Sequence, residues 1–197
     1  MKKLLILSLT LIALNSSAQY TTLSYSTAAP LGVFKEFVGK YSWQGFEAGY
    51  QHKIGGGFTL GVHWRFTKFY EKKAKSTYEF SNGAITGTTY AYSFINNLNL
   101  TLNYMHETSG PVTPYIGFAA GPAHLHNLLI IGVFEINDYP WRVSMTPQIG
   151  AMIEVGRGIA IDIKANYNYI PLKNDHFTSI QSFGLEFGVT WSPFFEY

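Results

Sequence analysis

The chain has no cysteine. That excludes disulfide scaffolds, thiolate metal sites and cysteine nucleophiles. Charge is scarce: Asp, Glu, Lys and Arg make up 13% of the 197 residues, about half the share usual in a soluble domain. Long apolar runs are missing too. Beyond the first residues the longest is Leu128 to Phe134, far short of the roughly 18 needed for a transmembrane helix. Helical periodicity is hard to find. Aromatic residues, in contrast, reach 17%, with 14 Tyr, 15 Phe and 4 Trp. Such a composition excludes disorder. Mean hydropathy is nevertheless close to zero, so the placement of the apolar residues decides the class.

The N-terminus reads as an export signal. Lys2 and Lys3 precede an apolar stretch from Leu4 to Leu14, broken only by Ser8 and Thr10, and Ser16-Ser17-Ala18 offers small residues for cleavage. The apolar stretch is too short to span a bilayer as an anchor helix. Cleavage is expected before Gln19, leaving residues 19–197 as one domain. It also removes two lysines and no acid. Lys plus Arg then falls from 14 to 12 and equals the 12 of Asp plus Glu. The formal charge of +2 therefore belongs to the signal, and no nucleic-acid partner is expected.

The remainder alternates with period two, the mark of strands with two unlike faces. In the last strand Phe183, Leu185, Phe187, Val189 and Trp191 oppose Gly184, Glu186, Gly188, Thr190 and Ser192. Ile159 to Tyr169, Phe94 to Tyr104 and Phe58 to Phe66 repeat the pattern clearly. Tyr20 to Thr27, Gly45 to Lys53, Pro114 to Gly121 and Val143 to Val155 repeat it more weakly. Pro147 interrupts the last of these and is expected at an irregularity. Of the eight candidate strands, those followed by Ile54–Gly57, Glu107–Thr113 and Gly156–Gly158 have short connections. Ala28–Trp43 and Lys68–Tyr92 are expected as long loops on the opposite rim. That asymmetry fits an outer-membrane barrel.

A soluble barrel, or a secreted sandwich, would share the alternation but turn its apolar face inward. Two features favour the reverse. The polar faces carry Glu47, His63, Arg65, Glu154, Asp162, Lys164 and Glu186, while the apolar faces carry almost no charge. A water-facing surface of that kind would aggregate, whereas a lipid-facing one must exclude charge. Aromatics also gather near strand ends. Trp64, Phe66, Phe69, Tyr70, Tyr90, Tyr92, Tyr167 and Tyr169 lie toward the long-loop rim. Tyr20, Tyr104, Tyr115, Trp191, Phe194, Phe195 and Tyr197 lie toward the other. Two girdles suit the two interfaces of a bilayer. The expected fold is all-β: an eight-stranded antiparallel up-and-down transmembrane β-barrel.

On this pattern the chain resembles the small eight-stranded outer-membrane barrels of the OmpA/OmpX/OmpW-like porin superfamily, as the barrel domain alone. The most specific part is the terminal strand. Ser182, Gly184, Phe187 and Val189 match the signal read by the barrel-assembly machinery in such proteins. Pro193 to Tyr197 runs past that signal, a departure from the pattern. The resemblance implies a Gram-negative cell outer membrane, outer-membrane lipid around the barrel and the assembly machinery as a partner during biogenesis.

An eight-stranded lumen is about filled by side chains. Glu47, Arg65, Glu154, Asp162, Lys164 and Glu186 are therefore expected to pair inside it as a plug, since an unpaired buried charge is costly. A narrow or gated conduit for small solutes or hydrophobic molecules is the alternative, and a lipid-modifying or proteolytic outer-membrane enzyme is the third reading. Catalytic candidates are weak. His124 and His126 share one side of an extended chain but lack a third metal ligand. Asp175-His176 point to opposite sides. His106-Glu107 lacks the second histidine of a zinc-protease motif. No cofactor, metal or enzymatic activity is expected. The remaining role is structural, adhesive or partner-binding, through the long loops. Leu128 to Phe134 falls where a loop is expected; it extends a strand or offers an apolar patch to a partner.

Overall fold

The structure is a computed structural model, and it describes residues 19–80, 83–106, 108–172 and 178–192. The export signal, Glu107, the Asp175-His176 pair and the tail from Pro193 to Tyr197 lie outside the described residues.

The elements in chain order are β1 (Gln19–Leu31), the single-turn helix α1 (Phe34–Phe37), β2 (Gln44–Gly55), β3 (Phe58–Phe80), β4 (Gly83–Met105), β5 (Val112–Ile131), β6 (Phe134–Asp138), β7 (Trp141–Gly156), β8 (Ile159–Pro171) and β9 (Ser179–Trp191). Every pairing is antiparallel between chain neighbours, and β1 pairs with β9 to close the sheet. Both β6 and β7 pair with β5, β6 against Asn127–Ile131 and β7 against Val112–His124. They are two halves of one barrel strand, broken at Tyr139-Pro140, where proline has no N–H to give. The fold is thus a closed eight-stranded antiparallel barrel, as the alternation indicated.

The two faces are inverted relative to a soluble barrel. Leu100, Ile116 and Ile149 are 60–64% exposed on the outside. Thr22, Ser24, Thr101, Asn103, Thr146 and Thr190 are buried inside. An apolar medium outside would suit the outer set, and closure of the ladder leaves no unpaired strand edge. Trp64, Phe66, Tyr70, Tyr90, Tyr92, Tyr167 and Tyr169 flank this belt on the long-loop side, and Tyr104 and Trp191 on the other.

Two expectations fail here, for the connection after Lys68 and for three of the girdle aromatics, and two hold, for Leu128 to Phe134 and for Pro147. Residues 68–80 and 83–92 are strand where a loop was expected: β3 and β4 run through them as a two-stranded ribbon, with a bulge between Lys73 and Ser76. Ladder hydrogen bonds sustain strands there without an apolar face, so the strands run on past the end of the apolar alternation. Leu128 to Phe134 is strand as well, ending β5, turning at Gly132 and opening β6. Phe69, Tyr20 and Tyr115 are not girdle residues; they point into the barrel, with Phe69 fully buried. At Pro147 the pairing with β8 lapses, since Met145 pairs with Tyr169 and Gln148 with Asn166, yet the register is unchanged. The irregularity is a gap of two residue pairs, not a bulge.

Candidate functional site: a plugged lumen

The barrel interior is built in three levels, set by the inward positions of each strand. The middle level holds the charge. Glu47 and Arg65 are cross-strand partners on β2 and β3, and Lys164 and Glu186 are partners on β8 and β9. The two pairs meet across the lumen. Arg65 Nη2 and Nε donate to Glu47 Oε2 at 2.6 and 3.0 Å, and Nε lies 2.9 Å from Glu186 Oε1. Lys164 Nζ contacts Glu47 Oε1 and, at 2.9 Å, Glu186 Oε2. Two cations and two carboxylates therefore alternate around one cluster that is almost wholly buried. Each ion touches two of the opposite sign, which offsets a desolvation cost that a single pair repays poorly.

His63 joins the cluster through Nδ1, 2.7 Å from Glu47 Oε1. Asn166 Nδ2 donates to Glu186 Oε1 at 2.8 Å. Gly49 makes room for the imidazole: a Cβ there would stand 2.9 Å from His63 Cε1. Around the ions, amides and hydroxyls satisfy each other. Asn103 Nδ2 and Thr59 Oγ1 both donate to Gln51 Oε1, at 2.8 and 2.9 Å, and Gln148 Nε2 donates to Asn103 Oδ1 at 2.7 Å.

The long-loop end of the lumen is apolar. Phe34, Val38, Phe69, Ile95, Leu125, Ile170 and Ile180 form one buried cluster. Phe34 comes from α1, which folds down into the barrel mouth. Gly39 N–H donates to Glu71 Oε2 at 2.7 Å, and Lys73 Nζ donates to the Glu36 carbonyl, so the ribbon base holds the helix in place. The sequence offered a signal for this plug in Val33, Phe34, Phe37 and Val38, four apolar residues inside a supposedly exposed loop. At the short-turn end Tyr115 donates to Asp162 Oδ1 at 2.8 Å. Below it opens a cavity of about 560 Å³, lined among others by Tyr20, Lys53, Thr59, Met152 and Glu154.

Of the six charges assigned to the lumen, then, four form the cluster. Asp162 sits beside it, bonded to Tyr115 instead. Glu154 faces Ala160 on β8, four residues along from Lys164, or about 13 Å, and lies at the mouth. His63 was expected on a polar face but not among the paired ions, Tyr115 was expected in a girdle, and Asn166 carried no expectation of its own, although all three sit at inward positions of period-two strands. His124 and His126 are on the outside, His124 tilted against Trp141 at 4.8 Å and His126 stacked on Tyr139 at 4.2 Å. The described residues hold no group of three metal-binding side chains. On β9, Ser182 and Gly184 point inward while Phe187 and Val189 face out. They pair with Pro30, Ala28, Tyr25 and Leu23 along the closing seam. Gly184 has a packing reason of its own, because a Cβ would lie 2.7 Å from Asn166 Oδ1.

No family model and no curated relative matches the chain. Solved structures do. Neisserial surface protein A superposes with a TM-score of 0.61 at 19% identity, over 89% of this chain and 97% of that one. Ail, the attachment invasion locus protein of Yersinia pestis, crystallised with the heparin analogue sucrose octasulfate, gives 0.50 at 12% identity, over 88% and 97%. The chain has the fold of the small outer-membrane β-barrels.

Proposed function

We propose that this protein is an outer-membrane barrel, exported by a cleaved signal of residues 1–18, which conducts nothing and works by adhesion or partner binding through its long-loop rim. The observation that carries the reading is the interior. An apolar plug supplied partly by Phe34 lies over a salt-bridged cluster, so both polar and apolar solutes meet a filled cross-section. What remains to do work is the rim. There β3 and β4, at 23 residues each, exceed the roughly 9–11 residues that span a bilayer more than twofold. The names of the two similar structures, a surface protein and an attachment protein, agree with a role at the cell surface. On this reading the barrel-assembly machinery inserts the chain through the β9 positions Ser182, Gly184, Phe187 and Val189.

Planar-bilayer recording of the refolded protein tests the first half. Absence of unitary conductance is expected, and stable openings would overturn it. Crosslinking in intact cells from cysteines placed in the ribbon tests the second. Partner adducts at ribbon positions, lacking at lipid-facing ones such as Leu100, are expected.

A further inference from the structure

Beside the ribbon base, on the outer wall, lies a groove of about 460 Å³ lined by Lys40, Tyr41, Trp43, Lys68, Tyr70 and Tyr92. It belongs neither to the lumen nor to the rim tips. We propose that it binds the phosphate-bearing headgroup of an anionic glycolipid of the outer leaflet, an inference that rests on the membrane reading above.

Three observations carry it. The first is charge. Lys40 and Lys68 both line the groove, and among the described residues neither forms an ion pair with a carboxylate. The Lys68 ammonium lies 5.7 Å from the Phe94 ring centroid. Glu71, on the same strand, is on the opposite face and accepts the Gly39 N–H. Two cations with no internal counter-ion suit an external anion.

The second is aromatic shape. Tyr41 and Trp43 have ring centroids 4.8 Å apart, as do Tyr70 and Tyr92 on the facing strands. Trp43 is 67% exposed. Flat apolar faces beside cations match a headgroup that presents sugar rings with phosphates, and amphipathic rings belong at the headgroup level of a bilayer.

The third is continuity. Gln44 pairs with Lys68, and the next outward positions down the same two strands are Phe46 and Phe66, then Ala48 and Trp64. All four face outward and lead from the aromatic girdle into the apolar belt. A headgroup in the groove thus has its acyl chains against apolar wall, which a soluble polyanion would leave unused. The site is also prebuilt. Ser42 exchanges both backbone hydrogen bonds with Ala28, at 2.8 and 2.9 Å, and its hydroxyl donates to the Lys68 carbonyl at 2.6 Å. Tyr41 donates to Thr27 Oγ1 at 2.6 Å.

The test uses the full chain folded into neutral phosphatidylcholine bicelles, titrated with diphosphorylated lipid A and read by native mass spectrometry. The double variant K40Q/K68Q is compared with K35Q/K75Q, which removes two exposed lysines elsewhere. Heat-modifiability gels establish that both are folded. One tightly held lipid A is expected on the wild type and on K35Q/K75Q, with binding about thirtyfold weaker on K40Q/K68Q. Equal binding by the two variants overturns the proposal. So does full displacement by sucrose octasulfate, which assigns the groove to soluble polyanions. Failure of the wild type to enter the bicelles at all is a different result and refutes the membrane reading itself.

Discussion

Phe34 meets Phe69 edge to face, with ring centroids 5.2 Å apart and planes at 88°, inside a barrel whose middle level is polar. One ring comes from a loop helix and the other from the wall of β3. Their contact joins the first long connection to the barrel and closes the long-loop mouth.

Phe34→Ala removes the centre of that contact. Truncating a fully buried phenylalanine costs about 3–5 kcal/mol. The expected result is a lower urea midpoint for unfolding from lipid vesicles, with bilayer conductance still absent because the ion cluster lies beneath.

Glu47 touches Arg65, Lys164 and His63. Glu47→Gln leaves two buried cations sharing Glu186 and is expected to destabilise by about 3–5 kcal/mol. Removing Lys164 as well restores the balance of charge, so the double variant E47Q/K164Q should lose less than the sum of the singles. Glu154→Gln, outside the cluster, should stay within about 0.5 kcal/mol of wild type. Chemical unfolding in vesicles measures the four variants, K164Q included, against the wild type.

Pro147 lies in a gap of two residue pairs between β7 and β8. Pro147→Val supplies an N–H on the lipid-facing wall and is expected to stabilise the barrel by about 1 kcal/mol. Slower hydrogen exchange at the flanking amides of β7 and β8 should accompany the gain.

The distal ribbon is dispensable for closure, since the β4–β5 pairing begins only at Thr89. Deleting residues 75–87 with a two-residue turn in their place should leave a heat-modifiable band at full intensity. Any surface crosslinks should be lost. A protein that no longer folds would place the ribbon within the barrel's stability instead of its function.

Gly184→Leu places a side chain against Asn166 Oδ1 and displaces the amide from Glu186. A reduced heat-modifiable fraction is expected, and Asn166→Gly in the same chain should recover part of it if packing, not the assembly signal, is responsible.

The barrel was legible because β8 and β9 face two unlike solvents. Phe187 and Glu186 alternate for the same reason that lipid and lumen differ. The lumen's composition was legible for that reason too, but not its arrangement. Which of Glu47, Asp162 and Glu154 reaches Lys164 depends on the stagger of β2, β7 and β8 around the barrel, and turn chemistry carries that information only weakly. Phe34 escaped notice because one helical turn has too few residues to show a period. The ribbon escaped because Lys72, Lys73 and Lys75 break the apolar pattern while costing the backbone ladder nothing.

The strands differ greatly in length: 23 residues in β3 and β4, 13 in β1, β8 and β9. With the strand tilt included, one flank stands about 25 Å taller than the other. The silhouette is that of a chair, with a back formed by β3 and β4 and a low seat at the closing seam. On the surface role proposed above, the back is the part that an approaching partner meets first, and the low seat is the side on which a neighbour packs flush.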